Sequence, residues 1–133
     1  MDNKKILVVD DEPHLIRSLT FILAKEGYEV SIAVDGEEAL KKISENKPDL
    51  IFLDIMMPKK NGYEVCEIIR KMPEFRDVYI IVLSAKGGDI DREKAFAMGA
   101  NEFMTKPFSP MDVISKIKEI SDNKQPILMN NYS

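Results

Sequence analysis

A chain of 133 residues, 44% hydrophobic and 32% charged, has the size and apolar content of a single globular domain. Its net charge of -4 and pI near 5.1, with no block of lysine or arginine, argue against a nucleic-acid surface and favour divalent cations or proteins as partners. One cysteine, Cys66, excludes an internal disulfide; with no leader pattern and no apolar run near the roughly 18 residues that span a bilayer, a cytoplasmic protein with no membrane contact is expected.

Lys4 to Val9 reads as a short Ile-Leu-Val-Val strand ending at Asp10-Asp11-Glu12-Pro13, with Pro13 tolerated in the first turn of a helix. Leu15, Leu19, Ile22 and Leu23 recur at helical spacing, and Gly27 suits the stop. Tyr28 to Val34 alternates as a second strand. Asp35 with Glu38 resembles a capping box that opens a helix through Ala39, Leu40 and Ile43, ended by Lys47-Pro48. Leu50-Ile51-Phe52-Leu53 is an apolar run typical of a strand buried on both faces, and Asp54 sits where it emerges.

After the loop 54–61, Gly62 leads into a helix bearing Val65, Cys66, Ile68 and Ile69, which Pro73 terminates; Cys66 is there for packing rather than redox chemistry. Tyr79 to Leu83 is a fourth strand, followed by Ser84-Ala85-Lys86-Gly87-Gly88 and a helix from about Asp89 to Met98 with a weak apolar stripe. Glu102-Phe103-Met104 is a fifth strand. Ser109 as N-cap and Pro110 at the first helical position begin a last helix carrying Val113, Ile114, Ile117 and Ile120. The polar stretch that follows divides the chain into a domain at 1–121 and a flexible tail or linker at 122–133.

Five strands alternating with five helices predict an α/β fold, a doubly wound parallel sheet covered on both faces, with ligands bound beyond the carboxyl ends of the strands. Asp10, Asp11, Asp54, Ser84 and Lys106 all fall at those ends. Alone, Asp54 and Ser84 read as turn residues and Lys106 as a solvated lysine; together they form a rim. Three carboxylates on one rim repel unless a cation lies among them, and Mg2+ suits oxygen ligands. An ionised aspartate in such a place can attack phosphorus and form an aspartyl phosphate, with a lysine and a hydroxyl holding phosphoryl oxygens.

The combination Val8-Val9-Asp10-Asp11-Glu12, Leu53-Asp54-Ile55-Met56-Met57-Pro58 with Asn61-Gly62, Leu83-Ser84-Ala85 and Lys106-Pro107-Phe108 closely resembles the CheY-like receiver domain of two-component response regulators, over about residues 4 to 121. The resemblance implies a (βα)5 flavodoxin-like sandwich with strand order 2-1-3-4-5, the order for which CheY is itself a standard example. It implies that Asp54 accepts a phosphoryl group from a sensor histidine kinase or phosphotransfer protein. Asp11 and Asp54 would bind Mg2+ (or Mn2+) directly with the backbone carbonyl of Met56, and Asp10 mainly through water. Ser84 and Phe103 stand at the switch positions, Lys106 at the phosphoryl-binding lysine, and the Lys106-Pro107 peptide at a bond commonly cis in the family.

Met56 and Lys86 stand at positions that flank the path of the hydrolytic water, and Met56 offers no strong hydrogen bond there, so slow self-dephosphorylation is expected. The resemblance further implies a phosphoprotein of phosphorelay signalling that is not a stand-alone enzyme. Its output would pass through the face of the fourth helix, fifth strand and fifth helix to an output domain or partner protein. The same face would carry a homodimer, with no nucleic acid bound through this domain. A haloacid-dehalogenase-type phosphatase, the enzyme alternative, needs an Asp two residues after the nucleophile where Met56 stands. A degenerate receiver is disfavoured because every acidic-site residue is present. His14 reads as a solvated or capping residue at a helix start.

Overall fold

A computed structural model describes residues 4–57, 59–85 and 88–130, with backbone alone for 121–130. The elements alternate through the chain: β1 (Lys5–Val9), α1 (Pro13–Lys25), β2 (Glu29–Ala33), α2 (Gly36–Glu45), β3 (Leu50–Asp54), α3 (Gly62–Arg70), β4 (Tyr79–Ser84), α4 (Asp89–Ala97), β5 (Glu102–Thr105) and α5 (Pro110–Asn130). All strands pair in parallel in the order β2-β1-β3-β4-β5, as expected.

The alternation of side chains along each strand creates two cores, one per sheet face. Leu7, Val9, Ile51, Leu53, Ile80 and Val82 pack beneath α2, α3 and α4, against Ile43, Val65, Cys66 and Ile69. Ile6, Val8, Phe52, Ile81 and Leu83 face α1 and α5, against Leu19, Leu23, Val113 and Ile117. The central strand β3 is buried throughout, which is why it reads as an unbroken apolar run rather than an alternating one. Burial of Ile51, Phe52 and Leu53, all at 0% exposure, contributes roughly 1.5–3 kcal/mol each.

Local chemistry sets the helix ends. Pro13 occupies the first turn of α1, and Gly27 follows its end at φ 94°, a conformation that favours glycine. At α2 the Asp35 carboxylate accepts from Glu38 N–H at 2.8 Å, but Glu38 reaches back one residue further than a standard box, to Val34 N–H at 2.7 Å. Ser109 and Asp112 cap α5 reciprocally, each backbone N–H donating to the other's side chain at 2.8 and 3.1 Å.

Two expectations are corrected. Pro73 does not simply end α3: the helix stops at Arg70, and Pro73–Phe75 forms a separate 3-10 turn. Val34 lies beyond β2 and is exposed, so the alternation in the edge strand stops at Ala33. The backbone of α5 runs helical to Asn130, and residues 131–133 lie outside the described residues.

Candidate functional site

Four of the five strands, β1, β3, β4 and β5, deliver polar residues to the same rim. Asp54 and Ser84 are the last residues of β3 and β4, and Asp10 and Lys106 directly follow β1 and β5. Backbone bonds continue the ladders one step and fix these positions: Asp10 N–H to Ala33 O at 3.1 Å, Ile55 N–H to Leu83 O at 3.1 Å and Lys106 N–H to Ser84 O at 2.7 Å. The Lys106–Pro107 peptide is cis.

Asp10, Asp11 and Asp54 each present a carboxylate oxygen, and all three lie within 4.8 Å of one another. Asp10 and Asp54 are buried and Asp11 is exposed, so the cluster opens to solvent on one side. Lys106 Nζ sits 2.8 Å from Asp10 Oδ2 and 3.4 Å from Asp54 Oδ1. Backbone donors assist: Glu12 N–H to Asp10 Oδ1 at 3.0 Å and Met56 N–H to Asp54 Oδ1 at 3.3 Å.

Burial, and then the neighbouring charge of Asp10, push the Asp54 carboxyl up from 3.8 to about 6; Lys106 and the Met56 N–H oppose the shift without cancelling it. At neutral pH Asp54 is therefore ionised but strained by its neighbours. Burial alone would lower Lys106, yet its hydrogen bond to Asp10 and the charges of Asp10 and Asp54 raise it, so the ammonium persists. One ammonium against three carboxylates leaves an electron-rich, oxygen-only donor set, the combination that suits a hard divalent cation.

Ser84 is buried beside this cluster, one step beyond the Asp54–Leu83 pairing. Phe103 pairs with Val82 in the sheet and is buried at 5% exposure, its ring in the core beneath α2, α3 and α4. The Met56 side chain is 71% exposed at the mouth of the site. Lys86, the other residue expected beside the water path, lies outside the described residues. His14 is exposed and lines a groove of about 480 Å3 between α1 and the start of α5 that meets the site at Lys106. Cys66 is fully buried, and burial pushes its thiol up to about 11, which fits packing rather than redox chemistry.

Two supports escaped the sequence reading. A complete capping box joins Asn61 and Glu64, whose Asn-x-x-Glu pattern at a helix start was there to be found. Gly62 is packed so closely that a Cβ would lie 2.4 Å from Asp54 O and 2.8 Å from Ile55 Cα. Its N–H also donates to Ile55 O at 2.9 Å, so the α3 N-terminus braces the strand end that carries Asp54.

Comparison with known proteins agrees with this geometry. The response regulator receiver domain family matches residues 6–118. The alkaline phosphatase synthesis transcriptional regulatory protein PhoP of Bacillus subtilis strain 168 is 48% identical over 118 residues, covering 89% of this chain and 48% of that protein; the chain thus spans about half the length of this curated relative. Among solved structures, a CheY-like response regulator receiver domain protein from Methanospirillum hungatei JF-1 is 32% identical with a TM-score of 0.85, covering 94% of this chain and 98% of that one. The receiver domain of a sensor histidine kinase from Pseudomonas aeruginosa PAO1, which has a magnesium ion coordinated in its active-site cleft, is 29% identical with a TM-score of 0.81, covering 88% of this chain and 96% of that one.

Proposed function

Because the chain belongs to the response regulator receiver domain family, we propose that Asp54 is its phosphoacceptor and that phosphorylation switches the surface formed by α4, β5 and α5. The observation that carries this reading is the placement of the Asp54 carboxylate on one rim with Asp10, Asp11 and Lys106. In the transfer, an Asp54 oxygen forms a bond to phosphorus while the phosphorus–nitrogen bond of a donor phosphohistidine breaks, its electron pair remaining on the imidazole. Lys106 holds a phosphoryl oxygen as a point charge, and the Ser84 hydroxyl donates to another.

The oxygen-only donor set fits Mg2+ or Mn2+, which Asp11, Asp54 and the Met56 backbone carbonyl would hold directly and Asp10 through water. When bound, the cation neutralises the repelling carboxylates and the charge of the phosphoryl group. Hydrolysis reverses the modification as water attacks phosphorus, releasing inorganic phosphate and the free Asp54 carboxylate. Met56 offers that water no strong hydrogen bond, which favours a long-lived phosphate; Lys86 is its partner in this tuning.

The domain assists its own phosphorylation and dephosphorylation and has no separate substrate to turn over. On this reading the protein is cytoplasmic, and its partners are a sensor histidine kinase or phosphotransfer protein and, through α4, β5 and α5, a second copy, a partner protein or an output domain. Residues 1–121 form the receiver, and 122–133 act as tail or linker. The transcriptional role in the name of the Bacillus relative, half of which this chain matches, supports an output beyond residue 121. No helix among the described residues is long and apolar enough to cross a membrane.

The test is incubation with a small acyl phosphate and Mg2+. One base-labile phosphate is expected on the parent chain and none on Asp54→Asn; equal labelling of the variant would refute the assignment.

A further inference from the structure

The helix α4 has little apolar surface with which to hold its place. Of its nine residues, Ala95 is the buried one, while Ile90 and Phe96 are 81% and 40% exposed. Polar groups take over. The Tyr63 hydroxyl on α3 donates to Asp91 O at 3.3 Å and reaches Asp91 Oδ1 at 3.5 Å, and Lys94 Nζ lies 4.5 Å from the centre of the Tyr63 ring. Besides Ala95 in the core, Arg92 reaches from α4 to the sheet: its guanidinium sits 5.8 Å from the ring centre of Phe103 on β5 and 5.7 Å from that of Phe96 on α4.

Given the phosphoacceptor reading above, on which this inference rests, we propose that Arg92 is a positioning residue of the switch: it clasps the Phe103 ring and ties the place of α4 to that ring. Tyr63 holds the start of α4 and so fixes the base from which Arg92 extends. A helix packed by apolar burial would tolerate the loss of one cation. A helix held by a few directional contacts transmits the loss along its length, because each contact carries a large share of its local stability. Phe103 is buried at 5% exposure, so the cation lies against a ring that is held in the core.

The test uses the whole 133-residue chain, its Arg92→Met variant, which keeps an apolar stem without the charge, and Arg92→Lys, which restores a cation. Amide hydrogen exchange in α4 and the NMR resonances of the Phe103 ring are followed with and without beryllofluoride and Mg2+ as the phosphoryl mimic. Without the mimic, Arg92→Met should exchange about three- to fivefold faster in α4 and shift the Phe103 ring, while Arg92→Lys stays within about twofold of the parent. With it, the Phe103 ring and α4 amides should respond together in the parent and separately in Arg92→Met. Parent-like exchange in Arg92→Met, equal behaviour of the Met and Lys variants, or intact coupling in Arg92→Met would each overturn the proposal. Failure of the parent to bind beryllofluoride would refute the phosphoacceptor reading instead, while exchange in the free chain would still decide the Arg92 contact.

Discussion

Gly62→Ala tests how the phosphoacceptor is braced. The added Cβ would lie 2.4 Å from Asp54 O, where ordinary contact begins near 3.4 Å, so the α3 N-terminus and the end of β3 must separate by about 1 Å. The obstacle is backbone, which cannot rotate away. Overpacking of this kind costs about 2 kcal/mol, a fall in Tm of roughly 6–10 °C for a chain of this size. A shift of about 1 Å at the nucleophile also slows phosphorylation, by up to about 100-fold. The assay pairs thermal unfolding with the initial rate of labelling by a small acyl phosphate. Gly88→Ala is the control, since nothing lies within 4 Å of its added Cβ, and it should lose less than about 1 kcal/mol and label normally. If Gly62→Ala melts and labels like the parent, the bracing argument is wrong.

Other perturbations separate stability from function. With cations removed by a chelator, Asp54→Asn should be more stable than the parent at pH 7 by up to roughly 3 kcal/mol, the equivalent of a carboxyl raised from 3.8 to about 6. The sign follows from a raised folded pKa: the parent's stability is full below about pH 4 and lost as pH rises through about 6, so the gap in urea midpoints should open across that window and stay closed below it. Met56→Asn, which gives the hydrolytic water a hydrogen-bonding partner, should shorten the lifetime of the phosphorylated protein about tenfold; decay of the parent itself within seconds would contradict the slow reading. Arg70→Met removes donors to Gly99 O at 2.8 Å, Arg76 O at 3.1 Å and Asn101 Oδ1 at 2.6 Å, far from the rim. It should cost about 2–3 kcal/mol in denaturant unfolding while leaving labelling of the folded protein intact.

The fold was legible because period and punctuation agreed. The unbroken run at Leu50 to Leu53, the Pro13 and Pro110 helix starts and the Gly27 stop are local signals, and the structure honours each of them. The departures arise where local rules are permissive: a 3-10 turn at Pro73 and the exposed Val34 at the end of an edge strand. The members of the rim were legible too, since parallel crossover connections bring all strand ends to one side.

What the sequence determined by itself is therefore the element order, the two-faced sheet and the identity of Asp10, Asp11, Asp54, Ser84 and Lys106 as its rim. Tertiary structure alone decided how these groups bear on one another: Lys106 between Asp10 and Asp54, the raised Asp54 carboxyl, Gly62 against the Asp54 carbonyl and Arg92 over Phe103. Periodicity is a property of neighbours in the chain and can be read there. Distances between residues as far apart as Asp10 and Lys106 arise only when strands pair in register, and electrostatic strain depends on those distances and on burial.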